Sequence, residues 1–361
     1  MKTGFAGGIA KLFINSKLTP LLMVAFLIIG AYSSYLTPRE EEPQIEVPIA
    51  DIFLAYPGAS PTEVESRIVK PLEKVVANIP GVEYVYSTSM SEQAMLIVQF
   101  YVGEDIERSL VKMYNEIMKH MDEMPKGISF PLIKTRAIDD VPVLGLTLWS
   151  EKYDDFQLRR IAQELNNEVE KVSEVSSTAI RGGRSRQLQV ILNRELMANY
   201  HVDALSVAQN IQAANQQMGS GSFNKNDNQF LVKTGSFIEN AEELSNLVVG
   251  INEGSPVYLK QVAEVVDGPE IPSQYVSFGY GEVNDLHAAF KSEYQAVTLS
   301  IAKRRGADAM KISDQILNKL ELLKKDLIPS DVHVEVTRNY GATASDKVAE
   351  LLLHLLGAII A

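Results

Sequence analysis

From Leu18 to Leu36 the chain carries no charged side chain and is built mainly of Leu, Ile, Val, Ala, Phe and Met. As a helix, that stretch is long enough to cross a hydrocarbon core of ~30 Å. A spanning segment places its two flanks in different compartments, so it constrains everything that follows. Lys2, Lys11 and Lys17 precede it, and Arg39 with Glu40, Glu41 and Glu42 come after. The excess of Lys on the first flank predicts a cytoplasmic N-terminus and exported residues from Thr37 onward. Tyr32 and Tyr35 fall near the outer end, where aromatic rings favour the interface. A cleaved signal peptide is the alternative. Ala31-Tyr32-Ser33 is a passable small-x-small site, although the apolar region is long for one.

A second apolar run, Leu351 to Ala361, reads Leu-Leu-Leu-His-Leu-Leu-Gly-Ala-Ile-Ile-Ala. It covers ~16 Å as a helix, about half a bilayer, and is expected to be the opening of a second spanning helix, cut short. A docked C-terminal core helix is the competing reading. Net charge is −12, against general nucleic-acid binding, which needs clustered Lys and Arg. The chain has no cysteine, which removes disulfides, thiolate catalysis and Cys-ligated metals.

Between these ends, strands and amphipathic helices alternate. Glu46 to Tyr56 alternates in part, through Val47, Ile49, Phe53 and Ala55, and predicts a strand. Tyr56-Pro57-Gly58 makes a turn. Ser60-Pro61-Thr62-Glu63 then combines a capping box with proline at the first helical position. The helix carries an apolar stripe of Val64, Ile68, Leu72, Val75 and Ile79, with Pro71 expected to kink it and Asn78 to Gly81 to end it. Strands near Glu83 to Ser89 and Met95 to Val102 follow. A second helix carries Ile106, Leu110, Met113, Ile117 and Met121 and ends at Pro125-Lys126-Gly127.

The order then repeats. Val143 to Trp149 predicts a strand, and Asp155 caps a helix with Leu158, Ile161, Leu165, Val169 and Val172 inward. Strands at Val175 to Ile180 and Gln187 to Leu192 are joined through Arg181-Gly182-Gly183-Arg184. A helix from Asp203 carries Leu205, Ala208, Ile211 and Asn215. Two copies of strand, helix, strand, strand, helix predict tandem ferredoxin-like α+β units. Gly219 to Gly281 breaks the rhythm with Gly, Asn, Ser and short β runs, Val257 to Leu259 and Val262 to Val266, plus a helical stretch at Glu239 to Leu247. It reads as an inserted subdomain. A strand at Ala296 to Ile301, a helix through Ile312, Ile316, Leu320, Leu323 and Leu327, and a strand at Val332 to Val336 complete the second unit.

Several stretches are similar to those of resistance–nodulation–division efflux permeases of the acriflavine-resistance type. These are Pro38-Arg39-Glu40-Glu41-Glu42-Pro43, Tyr56-Pro57-Gly58-Ala59-Ser60-Pro61-Thr62-Glu63-Val64-Glu65, Pro71-Leu72-Glu73, Ile79-Pro80-Gly81-Val82, and Leu192-Asn193 leading to Asn210, Asn215 and Gly219. The resemblance runs over essentially the whole chain. It implies a cytoplasmic N-terminus over 1–17, a transmembrane helix over 18–36 and a first porter subdomain over 37–136. A second porter subdomain would take 137–218 and 286–340, around a docking subdomain over 219–285, before a second transmembrane helix begins in 341–361. It implies an inner-membrane homotrimer driven by the proton gradient, exporting small amphiphilic or xenobiotic compounds through a periplasmic adaptor protein and an outer-membrane channel. No cofactor is implied. The proton-relay residues of such permeases lie in later membrane helices, so residues 1–361 alone are expected not to pump; His354 is read as incidental. The arm between Gly219 and Thr234 is shorter than in the drug pumps, so trimer interlocking is expected to be weaker or differently built. Arg181 stands where those pumps place a phenylalanine, and Val141, Pro142 and Val143 open the second repeat, which argues against an aromatic cage.

Candidate substrate-pathway residues are Arg181, Arg184 and Ser89, with Arg186 beside the same turn; a solvated hairpin tip is the plain alternative for the arginines. Asp139 and Asp140 read as a polar linker rather than an acid–base pair. Met113, Met118, Met121 and Met124 invite soft-metal export, a rival within the same superfamily, but core packing is the simpler account. No Gly-x-Ser-x-Gly, His-Glu-x-x-His or phosphate-loop pattern is present, so an enzyme is not expected. A membrane-anchored periplasmic adaptor or assembly protein is the rival from another class.

Overall fold

The computed structural model describes residues 13–14, 16–40, 47–136, 140–226, 228–282, 284 and 293–360. Helix α1, Thr19–Leu36, begins with proline in its first turn and buries no residue against the rest of the chain. Among the described helices it is the one long and apolar enough to cross a membrane. An apolar helix exposed all round has no partner in water and is at home in lipid.

The first α/β unit follows. Strand β1, Ile49–Ala55, leads through the Tyr56-Pro57-Gly58 turn into helix α2. The capping box is present: Ser60 Oγ accepts from the Glu63 N–H, while Glu63 Oε2 accepts from the Ser60 N–H at 3.0 Å. Helix α2 runs as Pro61–Val64, a π turn over Glu65–Val69, and Lys70–Ala77. The π turn is how the chain absorbs Pro71. Proline has no N–H to donate and its ring crowds the carbonyl four residues back, so widening the preceding turn relieves the clash. One register correction applies here, because the buried stripe is Val64, Ile68, Leu72, Val76 and Ile79, with Val75 only half-buried. The extra residue in the π turn rotates the face by that amount.

Strands β2, Val82–Met90, and β3, Gln93–Phe100, then helix α3, Ile106–Lys119, and strand β4, Leu132–Arg136, complete the unit. The order in the sheet is β2-β3-β1-β4, all antiparallel. The core-facing set of β1 is Ala50, Ile52 and Leu54, not Ile49, Phe53 and Ala55 as the partial alternation predicts. These pack with Leu96, Val98 and Phe100 of β3, α2 residues, and Met113 and Ile117 of α3. Met118, Met121 and Met124 pack against the same core, so all four candidate soft ligands serve packing.

The second unit is assembled from two stretches. Strand β5, Pro142–Trp149, helix α4, Asp155–Val169, and strand β6, Val175–Arg181, come first. The cap of α4 is Asp154 rather than Asp155: its side chain accepts from the Gln157 N–H in a reciprocal capping box. Strand β7, Arg186–Leu192, does not return beside β6. It leaves for a third core, so Arg181 to Arg184 is not a hairpin. Helices α5, Arg194–Asn199, and α6, Ala204–Ala214, follow, then the hairpin of β8, Met218–Lys225, and β9, Asn228–Thr234. Helix α7, Ala241–Ser245, and strands β10, Val248–Asn252, β11, Ser255–Tyr258, and β12, Ala263–Pro269, close the excursion. β12 pairs with β7, and a small core gathers Val202, Val207, Leu244, Val249, Leu259 and Val262. Helix α6 contributes Val207 to it, whereas its predicted contact Leu205 is 67% exposed. By packing, the insertion therefore starts near Ser185 and not at residue 219.

The chain rejoins the second sheet through β13, Ser277–Phe278, and β14, Tyr294–Lys303, followed by helix α8, Ala309–Leu323, and strand β15, His333–Asn339. β14 sits between β5 and β6, and β15 borders β5 on the other side, all antiparallel. Leu144, Leu146 and Leu148 face Val297, Leu299, Ile301 and both helices α4 and α8. Helix α9, Tyr340–Ile360, grows directly out of β15; residues 351–358 are exposed, His354 among them.

Candidate functional site

Each large sheet packs its helices on one face only, which leaves the other face to carry function. In antiparallel pairs, residues directly opposite one another share a face. On the first sheet the helix-free face therefore holds Tyr84, Tyr86, Ile97, Met95, Asp51, Phe53, Lys134 and Leu132. Asp51 is buried in its centre, and Arg136 Nε reaches its Oδ2 at 2.7 Å. Its Oδ1 has no partner among the described residues. Lys134 Nζ lies 5.8 Å from the Phe53 ring centroid, and Tyr84 and Tyr86 stand 6.1 Å apart, half exposed. The face is thus aromatic at its border and charged at its middle.

On the second sheet the pairing sets Arg181, Thr298, Thr147 and Glu335 in one row across four strands. Thr147 Oγ1 meets Thr298 Oγ1 at 2.9 Å and Thr337 Oγ1 at 3.0 Å. The neighbouring row is aromatic. Trp149, fully buried, stacks on His333 at 4.4 Å and Tyr294 at 4.7 Å, with Phe278 and Tyr280 closing over it at 5.6 and 5.9 Å. Tyr280 Oη donates to Glu335 Oε1 at 2.7 Å. Burial, then that carboxylate, push the Tyr280 hydroxyl up to about 12, so it stays a donor across the ordinary pH range.

The candidate arginines separate. Arg184 is clamped: Nε donates to Asp155 Oδ1 at 2.8 Å and Oδ2 at 3.0 Å, and Nη2 to Oδ1 at 2.6 Å. The bond to Asp155 holds its guanidinium above its usual pKa. Arg186 is engaged by Asp267 across β7 and β12. Arg181 is exposed, and lines a polar recess of about 280 Å³ with Arg159, Arg184, Glu270, Ser273 and Gln274. Arg159 Nη1 donates to the Gly182 carbonyl at 2.7 Å, while its Nε is buried with no partner among the described residues. The turn itself needs glycine. At Gly183, with φ +69°, a Cβ would stand 2.7 Å from the Asp155 carbonyl oxygen and 2.8 Å from Val297 Cγ2.

Ser89 lies elsewhere, on the helix side of the first sheet, in a separate recess with Glu65, Val69, Lys70, Glu73 and Ser87. Ser87 Oγ donates to Glu73 Oε1 there. The motif residues Tyr56, Pro57, Gly58, Ser60, Glu63, Pro71 and Gly81 shape the first unit. Gly58 takes φ +80°, and its N–H donates to Glu92 Oε1 at 3.0 Å, while the Glu92 carbonyl accepts from Tyr56 at 2.7 Å. This strand-to-helix turn is thereby pinned to the β2–β3 turn. Asp140 lies two residues before β5, and Asp139 lies outside the described residues. Sequence reading missed Asp51, Phe53, Lys134 and the Trp149 cluster; the period-two spacing of Asp51 and Phe53 carried the signal, hidden by apolar residues on both faces.

A family model described as the AcrB/AcrD/AcrF family matches residues 9–361. The multidrug resistance protein MdtC of Yersinia enterocolitica is 27% identical over 352 residues, 96% of this chain and 33% of that protein. MdtC of Yersinia pseudotuberculosis is 28% identical with the same coverage. The chain spans about a third of the length of these curated relatives. Motifs, exposed apolar helix and match over nearly the whole chain agree, and the chain belongs to the AcrB/AcrD/AcrF family of resistance–nodulation–division permeases.

Proposed function

We propose that this chain forms the substrate-facing part of an inner-membrane efflux permease that exports small amphiphilic compounds. The observation that carries the reading is the helix-free face of the second sheet. Its exposed end, Arg181, opens on a polar recess with Arg159, Ser273 and Gln274, while Thr147 and the Trp149 cluster behind it are buried and hold the sheet that presents it, a setting suited to the charged end of an amphiphilic molecule. On this reading α1 spans the bilayer with its N-terminus in the cytoplasm, and residues after 37 are periplasmic. The two units act as porter subdomains; the sheet order β2-β3-β1-β4 of the first supports its ferredoxin-like assignment. The third core acts as the docking subdomain. Its hairpin β8–β9 is exposed along its length, with Phe223 and Phe230 stacked at 5.2 Å, and would engage a neighbour in a homotrimer. A periplasmic adaptor and outer-membrane channel would complete the path, and the proton gradient would drive it.

Arg181 is the residue proposed to contact substrate, selecting anionic head groups; Arg184 orients its turn through Asp155. The test is accumulation of an anionic and a neutral amphiphilic dye in pump-deficient cells carrying this chain as part of a complete permease, with and without a protonophore. Arg181→Ala should weaken export of the anionic dye and spare the neutral one. Equal export of both dyes by the variant sinks the assignment. Metal export draws no support from the methionines, which pack in the first core.

A further inference from the structure

The chain leaves α1 through Thr37 to Glu40, and this short segment is fastened to the second unit. The Arg39 carbonyl accepts from the Ala309 N–H at 3.1 Å, and Arg39 Nη1 reaches Met310 Sδ at 3.9 Å. Glu40 Oε1 takes an ion pair from Lys303 Nζ at 2.8 Å, with the Lys303 and Glu40 side chains 9% and 19% exposed. One turn earlier, Lys311 Nζ lies 5.8 Å from the Tyr35 ring centroid. The other apolar helix meets the same place. A Cβ on Gly341, at the start of α9, would stand 2.6 Å from the Ala309 carbonyl oxygen and 2.9 Å from Met310 Cα. Residues 309 to 311, the first turn of α8, are thus touched both by the chain leaving α1 and by the chain entering α9.

From this geometry we infer that the Glu40–Lys303 pair is a latch: it locks the exit of α1 to the second unit, so that the two move as one body. The physical reason is the withdrawal of both charges from water. An exposed ion pair contributes little and is easily given up. A pair this sheltered is different, because removing Glu40 leaves the Lys303 charge in a poor solvent. Lys303 ends β14, the strand between β5 and β6, so a pull on Glu40 acts on the middle of that sheet. Glu40 precedes the first unit in sequence yet binds the second. The latch thereby gives the second unit a grip on α1 that chain connectivity alone would not provide.

The full chain contains no cysteine, so spin labels can be placed without background. Ser33→Cys and Asn318→Cys put one label near the end of α1 and one on the outer side of α8. In detergent micelles a narrow distance distribution is expected for the parent. Glu40→Gln should broaden it, and speed exchange of the Ala309 amide by about tenfold. The charge exchange Glu40→Lys with Lys303→Glu should restore both. Protection of β5 amides reports that the second sheet is intact, and Glu40→Gln leaves the sheet's own residues untouched. An unchanged distribution together with unchanged Ala309 exchange in Glu40→Gln overturns the latch. So does broadening that the charge exchange fails to reverse.

Discussion

The first unit runs without interruption from β1 to β4, whereas the second is built from two stretches separated by the whole third core. The first places four antiparallel strands beside two helices and the second five, and their closing contacts differ in kind. In the first, β2 and β3 are consecutive and β1 pairs with β3 across one helix. In the second, the central pairing joins Thr147 to Thr298. The comparison shows why such an insertion is tolerated. Loop-closure entropy rises by only ~0.6 kcal/mol for each doubling of length, so a long excursion costs little once its ends are held together. The ends are held by chemistry specific to the second unit. Its exit needs two left-handed glycines pressed against Asp155, Val276 and Val297, and its return passes through β13 beside the Trp149 cluster. The first unit relies instead on a local turn and cap.

That contrast can be broken most severely at Gly183. Valine there meets the Asp155 carbonyl and Val297 while holding a conformation that β-branched residues avoid. Backbone strain and overpacking together should cost about 3–5 kcal/mol. Hydrogen exchange followed by mass spectrometry should show β5 and β14 peptides losing protection while β1 and β3 keep theirs. Loss of protection in both units alike would mean that they do not fold as separate bodies. A smaller change tests the first unit's local closure. Ser60→Ala removes the acceptor of the Glu63 N–H and should cost about 1 kcal/mol, read as faster exchange in α2 and none in α4. The smallest effect concerns His120, in the segment after α3. Its ring lies 3.1 Å from Glu123 and 3.5 Å from Glu116, and the bond to Glu123 raises its pKa above the ordinary 6.5. A raised folded-state value means stability present in full below about pH 6.5 and lost as pH rises through the folded pKa. An NMR titration of the imidazole should give a midpoint above 6.5 that falls towards it in Glu123→Gln. A parent midpoint at or below 6.5 would remove the effect.

Much of each unit could be read locally. The capping box at Ser60, the turn at Gly58 and the spacing in α8 announce themselves through residues a few positions apart. Misreadings arose wherever distant chain decided the outcome. β5 is covered on both faces and shows no alternation, and β1 carries apolar residues on both sides, so its core face was displaced by one. The Arg181 to Arg184 stretch has every mark of a hairpin, yet β6 pairs with β14 and β7 with β12. β4, short and exposed, had no strong signal. For the candidate site the sequence offered Arg181, while the row that gives it meaning lies on strands β5, β14 and β15.

By itself the sequence determined the long apolar helix, the family motifs, most of the order of elements and the capping box at Ser60, because each depends on charge, hydrophobicity or hydrogen bonds within a turn or two of chain. Tertiary structure alone decided where the insertion begins, which arginine is clamped and which is exposed, and that Glu40 reaches Lys303. Those outcomes rest on pairings between residues far apart in sequence, whose free energy exists only once the sheets have closed.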